Sequence, residues 1–217
     1  MNNFFSSIPK VTKNLIIINV IAYLASLALP RVGIDVLNLL GMHYYGADAF
    51  SIYQMLTYMF LHSTSGFGHL FFNMFALYMF GGLLERVWGA KRFLIYYIIT
   101  GVGAGIIQQI VWALTTAPSL PVFYHDLLLT IGASGAIFGI LLAFGMMFPN
   151  MPLFIMFIPI PVKAKYVVIG YGILELLAGI AGRAGDNVAH FAHLGGMLFG
   201  LVLILLWRKK HGRDQLY

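Results

Sequence analysis

Gly132-Ala133-Ser134-Gly135 lies at one end of a long apolar stretch, and His193 lies near the matching end of another. A serine hydroxyl and an imidazole are the parts of a nucleophile and its general base. Hydrolysis needs water, and hydrocarbon excludes it. Two such groups inside membrane-length helices therefore either join helices by hydrogen bonds or cut bonds inside the bilayer.

The solvent of the chain follows from its composition. Of 217 residues, 60% are hydrophobic and 9% charged, where soluble domains carry about 25% charged residues. Mean hydropathy is +0.88. This is the composition of a polytopic membrane protein, and the length leaves little room for a separate soluble domain. The net charge of +6 belongs to the cytoplasmic membrane face and not to a nucleic-acid surface. Cysteine is absent, which excludes disulfides, a thiolate metal site and a cysteine nucleophile.

Six segments of spanning length are expected, at about 15–29, 69–87, 93–114, 131–148, 166–181 and 187–207, in a single domain covering 1–217. A long external connection covers 30–68. The run 151–161 is apolar but broken by Pro152, Pro159 and Pro161, and reads as a short re-entrant or surface loop. Placing the N-terminus in the cytoplasm puts Lys10, Lys13, Arg86, Lys91, Arg92, Lys163, Lys165, Arg208, Lys209, Lys210 and Arg213 inside and leaves Arg31 and Arg183 outside. That bias sets both termini in the cytoplasm. Lys10, Lys13 and the run to Ser26-Leu27-Ala28 also have the layout of a signal peptide; we read a retained helix, and cleavage would not reverse the remaining segments.

Parity then brings the chemistry together. The second, fourth and sixth segments all enter from outside, so His69, Asn73, Ser134, His190 and His193 share one level, within about 10 Å in depth at about 1.5 Å per residue. Ser134 by itself reads as a packing residue above the small-residue stripe Gly135, Gly139 and Ala143. With His193 at its depth, it reads as a nucleophile beside a base. Gly196 and Gly200 follow His193 on one face, so the two helices can approach closely. No triad carboxylate is evident: Asp186 falls in a loop and Glu175 on the fifth segment, with no catalytic role assigned. The reading is a dyad. His69 and Asn73, at i and i+4, project from one face. They serve either as oxyanion donors, with the backbone N–H of Ser134, or as a buried polar pair satisfying nearby backbone.

The chain resembles the rhomboid intramembrane serine proteases. The resemblance rests on His69-Leu70-Phe71-Phe72-Asn73-Met74, on Gly132-Ala133-Ser134-Gly135, and on Ala192-His193-Leu194-Gly195-Gly196 with Gly200, in that order. Gln54 to His62, and Glu85-Arg86 with Gly89, are also rhomboid-like. The resemblance implies an all-α bundle of six transmembrane helices in a minimal form. It implies Ser134 as nucleophile, His193 as base, and an oxyanion hole of His69, Asn73 and the Ser134 amide. His190 is then an upper-rim residue, and His62 orders the loop above His69. Glu85 and Arg86 read as structural. Two departures stand out. Phe138 occupies a position where many bacterial members carry tyrosine, and Tyr53-Gln54 stands where some have Trp-Arg. The family's loop after the first helix is partly embedded, which would set Phe50, Tyr53, Met55, Tyr58, Met59 and Phe60 at the membrane interface.

The implied activity is hydrolysis of peptide bonds in or near the outer end of transmembrane segments of other membrane proteins. Favoured substrates carry helix-weakening residues and a small residue before the cut. Partners are such single-pass or polytopic substrates and the lipid bilayer, with no nucleic acid and no cofactor; the setting is a bacterial cytoplasmic membrane. A catalytically inactive relative that binds and escorts membrane proteins is the alternative. A metal site on His62, His69, His190 and His193 is disfavoured, because no carboxylate stands at ligand spacing from them.

Overall fold

The computed structural model describes residues 8–154, 160–181 and 189–211. Its frame is a helical bundle: α1 (Lys10–Ala28), α2 (Gly68–Trp88), α3 (Ala90–Val111), α4 (Ser134–Met147), α5 (Ala164–Ala181) and α6 (His190–His211). Five helical stretches among the described residues are long and apolar enough to cross a membrane, and α4 is a shorter apolar helix. Most expected boundaries hold within a few residues. α1 begins five residues before the expected start, and α3 runs on through a π-helical turn, Trp112–Thr116, toward Ser119. α2 also contains a π turn, Leu77–Gly81. Residues 155–159 and 182–188, with Arg183, Asp186 and Asn187, and residues 212–217, with Arg213, lie outside the described residues.

The largest departure is in α4. It starts at Ser134, not at Ile131, and spans 14 residues, about 21 Å at 1.5 Å per residue, against a hydrocarbon core of about 30 Å. The preceding residues are held in extended structure instead. β1 (Met42–His43) pairs antiparallel with β2 (Leu129–Thr130), and the Gly132 N–H donates to the Tyr58 carbonyl at 3.0 Å. Gly132 has φ +134°, a conformation that residues with a Cβ rarely adopt. The helix therefore begins below the level at which a full-length span would, and a recess opens above it.

The long connection is a built structure packed against the bundle. Tyr58 and Met59 are buried, contrary to their expected interfacial placement. The Tyr58 hydroxyl donates to the Gly101 carbonyl at 2.7 Å, and Met59 fills the notch left by Gly101. Tyr53 is exposed and Met55 partly so. Gln54 is buried; its Nε2 donates to the Ala49 carbonyl at 3.0 Å, and its Oε1 accepts from the Ser51 N–H at 3.1 Å. From α3, Gln109 donates to the His43 carbonyl at 2.6 Å and accepts from the Tyr45 N–H at 2.9 Å. Buried amides thus pay the hydrogen-bonding cost of irregular backbone against the bundle. The expected loop at 151–161 is based on a hairpin stem, β3 (Pro152–Leu153) against β4 (Val162–Lys163).

Away from the site, Glu85 caps α1. Its carboxylate accepts from the Val11 and Thr12 N–H groups at 2.8 and 2.7 Å and from the Thr12 hydroxyl at 2.8 Å. These are orphan donors of a helix start satisfied by an anion. Trp88, Tyr96 and Trp207 cluster edge to face, with the Arg92 guanidinium 5.3 Å from the Trp207 ring centre.

The core that positions the site is α3, α4 and α6. Its central contact is backbone on backbone: a Cβ at Gly196 would overlap the Gly135 carbonyl, and one at Gly139 would stand 2.7 Å from the Thr100 side chain. The Tyr96 hydroxyl donates to the Gly139 carbonyl at 2.8 Å and occupies the place a Cβ at Gly200 would take. The small-residue faces expected on α4 and α6 do meet. Gly196→Ala should destabilise the protein by about 1–3 kcal/mol through overpacking, read as a lower thermal midpoint in detergent. Gly170→Ala on α5, where an added methyl meets nothing within 4 Å, should leave the midpoint unchanged or higher. Equal midpoints for Gly196→Ala and the unmodified protein would refute the close contact.

Candidate active site

Ser134 is the first residue of α4, and His193 lies in the first turn of α6. The Gly135–Gly196 contact directly below them sets their separation. The Ser134 Oγ stands 2.7 Å from His193 Nε2. Phe138, one turn down α4, stacks on the imidazole with ring centres 4.3 Å apart and planes 7° apart. This stacking holds the ring plane. As the opening residue of a helix, Ser134 also has a backbone N–H with no intrahelical acceptor.

His69 faces the same recess. Its Nδ1 accepts from the Ser63 N–H at 3.4 Å, which leaves its ring proton on Nε2. A Cβ built on Gly132 would lie 3.3 Å from His69 Nε2 and 3.5 Å from the Ser134 Oγ. The missing side chain of Gly132 is thus part of the space between these two groups. Asn73 is buried and its Nδ2 donates to the His69 carbonyl at 2.7 Å. That bond matches the backbone-satisfying reading of the residue, and its second amide hydrogen has no partner among the described residues. The recess has a volume of about 740 Å³, and Ser63, Ser65, His69, Gly132, Ser134 and His193 are among its lining residues; Asn73 is not.

The expectation that no carboxylate stands beside the dyad needs correction: the Glu175 Oε2 is 2.8 Å from His193 Nδ1. The His190 Nδ1 is 2.7 Å from the same oxygen. A carboxylate does accompany the histidines, contrary to the argument made from spacing, because it arrives from α5. Glu175, His190 and His193 place possible metal-ligand atoms within 4.8 Å of one another. The signal available in the sequence was the i, i+3 pair His190 and His193 on one face of α6, opposite the single acid of α5.

His62 is fully buried, with its ring 5.0 Å from that of His69 and tilted 64° to it. Neither ring nitrogen has a hydrogen-bond partner among the described residues. Burial first, and the neighbouring His69 second, push its pKa from about 6.5 down to about 3. The neutral form is thus the folded form. Because the folded value lies below the unfolded one, His62 adds stability above pH 6.5 that is lost as pH falls from there toward 3, at up to about 1.4 kcal/mol per pH unit. Unfolding midpoints measured from pH 7 to pH 5 should fall more steeply for the unmodified protein than for His62→Phe. Parallel curves would show that His62 takes up no proton on unfolding.

Residues 49–210 match the rhomboid domain. Rhomboid-like protein 11, chloroplastic, of Arabidopsis thaliana is 30% identical over 90% of this chain, which spans 64% of that protein's length, just under two thirds. Putative rhomboid protease YdcA of Bacillus subtilis is 32% identical over 74% of this chain and 70% of its own. Rhomboid protease GlpG of Haemophilus influenzae is 25% identical over 93% of each.

Proposed function

This chain belongs to the rhomboid family, and from that membership and the geometry of its recess we propose that it is a serine endopeptidase that cuts membrane-protein substrates within the bilayer. The observation that carries the reading is the 2.7 Å contact of the Ser134 Oγ with His193 Nε2, at the floor of a recess above a helix too short to fill the membrane.

The steps follow from the atoms. Ser134 Oγ attacks the carbonyl carbon of the scissile peptide while its proton passes to His193 Nε2. The carbonyl π pair moves onto oxygen. The resulting oxyanion is held by the Ser134 N–H and by His69 Nε2–H; Asn73, outside the recess, supports His69 through its carbonyl. The imidazolium then gives its proton to the leaving nitrogen as the carbon–nitrogen bond breaks. Water from the recess, deprotonated by the same imidazole, attacks the acyl-enzyme carbonyl, and the proton returns to the Ser134 Oγ as the acid product leaves. The small residues Gly132, Gly135, Ala189 and Ala192 on the lining suit a small side chain before the cut. A substrate segment must unwind to present its peptide bond there, so helix-weakening residues near its outer end favour cleavage.

The side of the membrane follows from the distribution of basic residues, with the recess opening on the face opposite most of them. We assign the chain to a bacterial cytoplasmic membrane. Bacterial relatives support this, although a relative named as chloroplastic is similar too.

In proteoliposomes with a single-pass substrate carrying glycines near its outer end, the protein should release the fragment. Ser134→Ala should abolish release, since loss of a nucleophile costs about 10⁶ in rate, and His69→Ala should lower kcat by about 10²–10³. A fluorophosphonate should label the unmodified protein and not Ser134→Ala. Cleavage or labelling that survives Ser134→Ala would overturn the nucleophile assignment. Substrate binding without any cleavage would favour the escort reading.

A further inference from the structure

We propose that Glu175 is a positioning residue for His193, so that this site works as a hydrogen-bonded serine–histidine–glutamate chain and not as an isolated dyad. The inference rests on the serine-protease reading above and adds a third residue to it.

A neutral imidazole carries one proton, on either ring nitrogen. Only the form with the proton on Nδ1 leaves a lone pair on Nε2 to accept the Ser134 proton. Glu175 Oε2, 2.8 Å from Nδ1, accepts a hydrogen bond from that form alone. The carboxylate therefore selects the tautomer the reaction needs. It then faces the imidazolium that forms when the serine gives up its proton. The side chains of Glu175 and His193 are only 14% and 9% exposed, so solvent screens their attraction weakly. Throughout, Glu175 stays ionised; the proton moves between the Ser134 Oγ, Nε2 and the leaving nitrogen.

The carboxylate is itself fixed. His190, one turn before His193 on α6, has its Nδ1 2.7 Å from the same oxygen, so two donors from one helix face converge on it. Phe138 stacks on one face of the His193 ring. Serine, carboxylate and phenyl ring together determine the position, tautomer and plane of the imidazole. α5 otherwise presents Ile169, Ile173, Leu174 and Leu177 to its surroundings. An acid on such a helix is expensive in a membrane, and its hydrogen bonds to the two histidines offset that cost.

Two other roles would use the same residues: a purely structural pin of α5 to α6, and a metal ion held by Glu175, His190 and His193. The test uses the full chain in proteoliposomes. Glu175→Gln should lower kcat by about 10²–10⁴-fold, the scale of tautomer loss in serine proteases, with KM and thermal midpoint little changed. Glu175→Asp should recover part of the rate. His190→Phe should cost far less than Glu175→Gln, and a chelator should cost nothing. In nitrogen-15 histidine spectra, the signal lost in His193→Ala should report Nδ1–H in the unmodified protein. Full kcat in Glu175→Gln, alongside an inactive Ser134→Ala, would overturn this proposal alone. An active Ser134→Ala would overturn the protease reading beneath it. A chelator-dependent loss restored by zinc would assign the cluster to a metal instead. If Glu175→Gln does not fold, an Nε2–H signal from the unmodified protein contradicts the proposal, and an Nδ1–H signal supports it.

Discussion

The contact between Gly196 and the Gly135 carbonyl sets everything above it. Two helices in lipid gain little from hiding apolar surface, so their approach is governed by packing. Here no side chain stands between the backbones of α4 and α6. Ser134 is the neighbour of Gly135, and His193 precedes Gly196 by one turn, so the closeness of the backbones becomes the 2.7 Å contact of their side chains. α3 closes the third side of this core, with Tyr96 and Thr100 fitted to the remaining small residues. A change of a single methyl group at the contact is therefore felt at the reactive atoms.

The second constraint is water. A helix that filled the bilayer would bury its first residue at the surface or raise it above. α4 is shortened by its own lead-in, where β2 pairs with β1 and Gly132 turns in a conformation suited to a residue without a side chain. The same turn leaves room between His69 and the Ser134 Oγ. The amides of Gln54 and Gln109 hold the loop that holds the turn. The long connection thus belongs to the architecture of the site, since it sets the depth at which α4 begins.

Much of this was readable from residue types and spacing. The common depth of Ser134, His69 and His193 followed from helix parity, and the meeting of α4 and α6 followed from glycines at helical spacing. Two things were not. The start of α4 depends on a pairing between residues 42–43 and 129–130, more than eighty positions apart, and no local pattern announces it. The role of Glu175 has no local signal, because an acid on an apolar helix has no sequence neighbour to identify its partner; only the docking of α5 brings it to two histidines on α6. Tyr58 and Met59 have the composition of an interfacial belt, yet they fill spaces left by glycines on α3.

The most direct measurement is a structure of the protein after reaction with a fluorophosphonate in a lipid environment. Phosphorus should be bonded to the Ser134 Oγ, with a phosphoryl oxygen within hydrogen-bonding distance of the Ser134 N–H and His69 Nε2, and His193 still against the adduct. An adduct on another residue, or a phosphoryl oxygen turned away from both donors toward lipid, would contradict this arrangement.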